Sequence, residues 1–236
     1  MTLPVAILAG GRATRLAALT RQRPKSLIEV AGRPFIEHQL QLVARAGITR
    51  VVLCVGHLGD MIEESIGHGE RFGLRISYCY DGDRPLGTGG ALRNAIATIG
   101  SPFLVMYGDS YLECDYRSIA ERFLQSKSRA LLTVVKNDDQ WDRSNVRLVN
   151  GAIAGYRKHA DNDSSFSYVD YGLVALHADV FAMYPASEPF DLGDVFQELA
   201  AQGELDALEM PTRFFEIGSP NGLAELRARL GGRARQ

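Results

Sequence analysis

Leu3-Pro4-Val5-Ala6-Ile7-Leu8-Ala9-Gly10-Gly11 is a short apolar run that stops at paired glycines. An apolar run that does not alternate reads as a strand buried on both faces, the habit of parallel sheets covered by helices. Glycines at its end let the backbone approach a ligand closely and turn N–H groups towards it. Arg12, Arg15, Arg21, Arg23 and Lys25 follow, and the first carboxylate is Glu29. The whole chain carries a formal net charge of −2, so this cationic block runs against the average and marks a strongly anionic partner.

Working outward, apolar runs at 4–9, 50–55, 74–79, 102–107 and 130–135 alternate with amphipathic stretches. Ile36, Leu40, Val43 and Ala44 share a helical face before Gly47, and Leu92, Ala95, Ile96 and Ile99 do so before Gly100. This rhythm predicts βαβ units and hence an α/β fold of Rossmann-like, three-layer α/β/α type, with a mostly parallel mixed central sheet in a single domain. Ligands are expected at the carboxyl ends of the strands. Past about residue 140 the pattern loosens, with strands near 145–149, 152–156 and 168–176 and helices near 191–201 and 219–230. The stretch from His159 to Ser165 has no apolar period and reads as an exposed loop, and residues 231–236 read as a frayed tail.

With 236 residues, 46% hydrophobic and 23% charged, the chain is long enough for one large core. A pI near 6.2 argues against a nucleic-acid partner, which needs a broad basic surface. The N-terminus lacks a basic leader, and its apolar run is too short for a signal peptide or a membrane span, so a cytoplasmic protein without membrane contact is expected. Cys54, Cys79 and Cys114 lie in or beside apolar stretches, show no paired spacing and read as buried reduced thiols. The five histidines lack zinc-ligand spacing. Homo-oligomerisation is compatible with this composition and does not follow from it.

Gly10-Gly11-Arg12-Ala13-Thr14-Arg15 is neither the dinucleotide fingerprint G-x-G-x-x-G nor a P-loop. Leu8-Ala9-Gly10-Gly11-Arg12-Ala13-Thr14-Arg15-Leu16, followed by Pro24-Lys25-Ser26-Leu27, instead resembles the linked blocks L-A-G-G-x-G-T-R-L and P-K-x-L of the sugar-1-phosphate nucleotidyltransferases. Ala13 departs from the pattern, standing where the family usually has its third glycine. The resemblance implies that Leu8, Ala9, Gly10, Gly11 and Thr14 help to hold a nucleoside triphosphate. It further implies that Arg15 contacts the departing pyrophosphate and that Lys25 bridges the α-phosphate and the sugar phosphate.

Other segments resemble the same family. Pro85-Leu86-Gly87-Thr88-Gly89-Gly90-Ala91 is similar to its base-binding turn, which implies base contacts for Pro85, Gly87, Thr88 and Gly89. Upstream, Asp81 or Asp83 carries a carboxylate matched to the N1–H and N2–H₂ edge of guanine, with a solvated turn as the plain alternative. Phe103-Leu104-Val105-Met106-Tyr107-Gly108-Asp109 is a strand ending in Gly-Asp, and Asp109 resembles the family's Mg²⁺-binding aspartate. Phe214-Phe215-Glu216-Ile217-Gly218-Ser219-Pro220 is similar to W-x-D-x-G-T-P, with Glu216 in place of the second metal-binding acid. For the sugar, the resemblance implies Asp170 and Gly172 within Tyr168-Val169-Asp170-Tyr171-Gly172-Leu173, and Lys158, where Arg157 and His159 replace the family's acid and proline.

Arg15, Lys25 and Asp109 are thus the expected catalytic residues, with Mg²⁺ as cofactor. On this reading residues 1–230 form a nucleotidyltransferase domain, with a nucleotide-binding half over about 1–135 and a sugar-binding half over about 136–230. The implied reaction joins a nucleoside triphosphate to a sugar-1-phosphate and releases pyrophosphate. Within the family the chain most resembles bacterial heptose-1-phosphate guanylyltransferases and N-acetylmuramate-1-phosphate uridylyltransferases, and the two aspartates favour GTP with a heptose-1-phosphate. UTP- or CTP-dependent activation of another sugar phosphate or of a phosphorylated non-sugar is the alternative, as is a catalytically silent nucleotide-sugar sensor.

Overall fold

The computed structural model describes residues 2–11, 16, 20, 22–137, 140–157, 163–186 and 188–233. Its centre is β1 (Val5–Leu8), whose aliphatic residues are almost wholly buried. A nine-stranded sheet grows from β1 in both directions. On one side lie the parallel strands β4 (Arg50–Val55) and β5 (Arg75–Tyr80). On the other lies β6 (Phe103–Tyr107), also parallel. Beyond β6 the direction reverses, because β11 (Tyr168–Leu176) runs antiparallel to β6, to β8 (Ala130–Lys136) and to β9 (Val146–Val149). Strand β10 (Ala152–Tyr156) pairs with β9 at one edge. The sheet is therefore mixed, and both halves of the chain contribute strands to it.

Alternate side chains of the central strands enter two different cores, as the period of a strand requires. Val5, Ile7, Leu53 and Met106 face α1 (Phe35–Arg45), α2 (Gly59–Ile66) and α4 (Tyr116–Gln125). Ala6, Val52, Cys54 and Val105 face α3 (Gly87–Ile99) and α5 (Leu192–Gln202) on the opposite side. The result is the three-layer sandwich that the sequence predicts. Local chemistry sets the helix starts: Asp115 accepts from the N–H groups of Arg117 and Ser118, and Asp191 forms a capping box with Asp194.

A third apolar cluster joins the two ends of the chain. Leu223, Leu226 and Leu230 on α6 (Pro220–Arg233) pack against Leu16, Ile28 and Val30, the last lying on the two-residue strand β2 (Glu29–Val30) that pairs with β3 (Arg33–Pro34). This contact brings the segment around Lys25 beside the segment around Glu216. Helix α6 continues through Gly231 and Gly232 to Arg233, so that part of the expected frayed tail is helical. β12 (Leu205–Glu209), parallel to β8, is an element that apolar periodicity does not announce. Its acids, Asp206 and Glu209, belong to a strand paired on one side only. No helix among the described residues is long and apolar enough to cross a membrane. The three cysteines are free thiols, Cys54 buried and Cys79 and Cys114 half-buried.

Candidate active site

The carboxyl ends of β1, β4, β5 and β6 open onto a cavity of about 330 Å³. Leu8, Ala9, Gly10 and Gly11 form one wall as the chain leaves β1, and Lys25 and Asp109 stand at the mouth. Arg12, Ala13, Thr14 and Arg15 lie outside the described residues, so the expected roles of Thr14 and Arg15 rest on the sequence alone. Gly108 is fixed by space, since a Cβ there would run into the carbonyl of Leu8. The turn it allows aims Asp109 at the cavity.

Lys25 opens a 3-10 turn whose next two residues, Ser26 and Leu27, are buried and anchor the backbone. Its Nζ donates to Asp109 Oδ2 at 2.7 Å, with the two side chains 14% and 35% exposed. A small ribbon brings a second acid to this pair. β7 (Ser110–Tyr111) and β13 (Phe215–Glu216) pair antiparallel, and the Ile217 N–H donates to the Asp109 carbonyl at 2.9 Å. Around Gly218, a Cβ would lie 2.6 Å from Glu216 Oε2, 3.1 Å from Lys25 Nζ and 3.3 Å from Asp109 Oδ2. The three charged groups therefore converge on one point. Glu216 also turns back on its own loop, accepting from Gly218 N, Ser219 N and Ser219 Oγ.

No cluster of three His, Cys, Asp or Glu side chains suited to a metal occurs among the described residues. Asp109 and Glu216, the two carboxylates that meet near Gly218, are too few for a zinc or calcium cage made of protein ligands. They fit Mg²⁺, which keeps waters and takes its remaining oxygens from substrate phosphates.

In the base-side wall, Asp81 reaches the cavity, whereas Asp83 is not among its lining residues. Burial raises the Asp81 carboxyl, partly offset by the Leu86 N–H that it accepts at 3.4 Å. Pro85, Gly87 and Thr88 also line the cavity. Gly89 does not. A Cβ on Gly89 would strike the ring of Phe190, and the N–H groups of Gly89 and Gly90 donate to the Phe190 carbonyl at 3.0 and 3.2 Å. The close approach that this glycine permits in the structure is to the chain leading into α5. Thr88 is likewise engaged, donating to Asp191 Oδ1 at 3.2 Å and accepting from Leu192 N at 2.8 Å.

A second cavity of about 600 Å³ adjoins the first and shares Tyr107 and Asp109 with it. Asp170 and Gly172 line it, as do Tyr156, Trp141, Arg213 and Phe214. Lys158 lies outside the described residues. Gly172 sits at φ +96° inside β11, within the span where the β11–β8 register shifts. The resulting kink turns the strand so that the Gly172 N–H donates to Asp170 Oδ1 at 2.8 Å.

Asp170 is 9% exposed, and burial lifts its carboxyl to about 6 against the pull of donors from Gly172, Tyr107 and Tyr156. As pH rises from the ordinary carboxylate range towards 6, the unfolded chain has lost this proton while the folded chain keeps it, so the residue lowers stability across that window. Above pH 6 the buried charge costs about 3 kcal/mol. Asp170→Asn is therefore expected to raise the melting temperature at pH 8 and to leave it nearly unchanged at pH 4. Thermal melts at the two pH values check this, and an equal shift at both would contradict it.

Asp191, Arg213 and Trp141 are pocket residues that the sequence does not single out as ligands. Arg213 pairs with Glu225 and lies over the rings of Trp141 and Phe215 at 5.9 and 5.2 Å. Its signal in the sequence is its place directly before Phe214-Phe215-Glu216.

Comparison with known proteins follows the same lines. The profile described as nucleotidyl transferase matches residues 5–145. Mannose-1-phosphate guanyltransferase beta-B of Xenopus laevis is 27% identical over 220 residues, covering 91% of this chain and 61% of that protein. The UTP–glucose-1-phosphate uridylyltransferase of Synechocystis is 27% identical over 231 residues, covering 90% and 59%. The chain thus spans about three fifths of the length of these curated relatives. HddC from Yersinia pseudotuberculosis superposes with a TM-score of 0.83 at 25% identity, covering 97% of this chain and all of that one. Its complex with GMP-PN superposes with a TM-score of 0.81 at 24% identity.

Proposed function

The chain belongs to the nucleotidyl transferase family, and from that premise we propose that it forms an NDP-sugar and pyrophosphate from a nucleoside triphosphate and a sugar-1-phosphate. The observation that carries this reading is the meeting of two cavities at Asp109, with Lys25 bonded to it at 2.7 Å. One cavity lies at the carboxyl ends of parallel strands, where nucleotides bind in such sheets. The other is lined by aromatic and hydroxyl-accepting side chains suited to a sugar.

In the proposed reaction an oxygen of the sugar phosphate attacks the α-phosphorus in line, and the bond from that phosphorus to the pyrophosphate oxygen breaks. The nucleophile is already anionic, so no general base is needed. Lys25, on the first cavity and bonded to the Asp109 that both cavities share, neutralises charge on both phosphates, while the backbone at Gly10 and Gly11 leaves room for the triphosphate. Arg15 serves the departing pyrophosphate. Asp109 and Glu216 would hold Mg²⁺, which when bound supplies further charge neutralisation to the phosphates.

Asp81 favours guanine, because its two acceptor oxygens match the adjacent N1–H and N2–H₂ donors of that base. GTP with a heptose-1-phosphate is accordingly the preferred pair, and the guanyltransferase relative supports the base. The test is pyrophosphate release from GTP, UTP, CTP, ATP and dTTP, each with heptose-, mannose-, glucose- and N-acetylmuramate-1-phosphate. GTP with a neutral sugar phosphate is expected to give the highest kcat/KM. Preference for UTP would overturn the assignment to Asp81, and no release from any pair would leave a silent nucleotide-sugar sensor.

A further inference from the structure

Asp170 is a buried carboxylate on the wall of the second cavity, and it forms no ion pair among the described residues. Its partners are uncharged donors. Tyr107 Oη donates to Oδ2 at 3.2 Å, Tyr156 Oη donates to the same oxygen at 3.4 Å, and the Gly172 N–H donates to Oδ1 at 2.8 Å. The Asp170 N–H is itself held, donating to Asn145 Oδ1 at 2.9 Å. A carboxylate has about four lone-pair sites, so this arrangement fixes the group and leaves one site, on Oδ1, for a ligand. Both phenols stay protonated, since burial raises each of them.

The charges around the cavity bear on what that ligand is. Asp109, Asp142, Asp170, Glu216 and Glu225 line the cavity with a single arginine among the described lining residues, and that arginine, Arg213, is already paired with Glu225. A hydroxyl donor suits this wall, whereas a second anion on the sugar would meet uncompensated negative charge.

The geometry points to Tyr107 and Tyr156 as positioning residues for acceptor choice: they hold Asp170 so that it takes a hydroxyl of a neutral sugar phosphate and disfavours acceptors carrying a carboxylate. The inference depends on the proposed activity for its substrate class, but part of its test does not. Tyr107 stands on both cavities and Tyr156 only on the second, so Tyr156→Phe is the cleaner probe and Tyr107→Phe the second.

Tyr156→Phe is expected to raise the acceptor KM about tenfold, the scale of one hydrogen bond to a charged group, with a smaller change in the nucleotide KM. Removing a donor also makes the Asp170 anion harder to hold, so the carboxyl titration, followed by carbon NMR of labelled aspartate, is expected to move to higher pH in both variants. Groups that face Asp170 and share its field are Tyr107 and Asp109 at the end of β6, Tyr156 on β10, and Asp142, Arg213, Glu216 and Glu225 across the cavity. Asp170→Asn is expected to narrow the preference for neutral over carboxylate-bearing sugar-1-phosphates. Equal changes in both KM values, an unmoved titration, or a wild-type preference for N-acetylmuramate-1-phosphate over neutral acceptors would each overturn the inference. If the wild type turned over no pair, the activity reading would fall, and the NMR titration alone would decide the positioning role.

Discussion

Lys25→Ala is expected to lower kcat/KM by about 10²–10³, the usual effect of deleting one preorganised electrostatic contact at a reacting centre. Among the described residues lining the first cavity Lys25 is the single cation, and it is bonded to Asp109, which lines the cavity proposed for the acceptor as well. In the proposed reaction its loss removes a contact to two phosphates at once, so both kcat and the acceptor KM should suffer. It also leaves Asp109 without its ion-pair partner, which raises the repulsion met by an incoming phosphate. Lys25→Arg is not expected to rescue, because a planar guanidinium cannot take the place of a compact ammonium in a mouth that already holds two carboxylates. Steady-state pyrophosphate release, with a thermal melt to show that the variant is folded, checks the result. Wild-type turnover by Lys25→Ala would sink the assignment.

The reason Lys25 could be named from the sequence is also the reason other residues could not. Strands β1, β4 and β6 are buried on both faces, so their apolar runs announce them, and a glycine or an acid just past such a run sits at the sheet edge by construction. Asp109 is legible in that way, and its meeting with Lys25 across 84 positions follows once both motifs are laid on one sheet. β12 escapes because a strand paired on one side tolerates Asp206 and Glu209, which blur its apolar period. The ribbon of β7 and β13 is two residues long on each side, below the length at which any period exists. Gly89 shows the opposite difficulty: glycine signals a close approach without saying to what, and here the neighbour is Phe190. Asp191 and Arg213 reach the cavities from loops far along the chain, placed by the packing of α5 and α6, and no local pattern encodes that placement.

Asp109→Asn is the second large effect expected, a fall of about 10²–10³ in kcat that added Mg²⁺ does not restore. The substitution keeps size and shape, so the Gly108 turn and the Ile217 N–H bond to the main-chain carbonyl should survive and the variant should fold. What it removes is one of the two carboxylates that, among the described residues, meet Lys25 near Gly218. Glu216 is held by three donors from its own loop, so it cannot take over the missing charge without giving up the cap on that loop. A second measurement separates loss of a metal ligand from loss of the Lys25 pair. Binding of Mn²⁺ in the presence of a non-hydrolysable nucleotide, followed by electron paramagnetic resonance, should weaken in Asp109→Asn and should weaken less in Lys25→Ala, which retains both acids. The double variant is expected to lose much less activity than the product of the single losses, because the two residues share one interaction. An Asp109→Asn enzyme with the wild-type Mn²⁺ affinity and an unchanged Mg²⁺ dependence would show that the carboxylate serves only to hold Lys25.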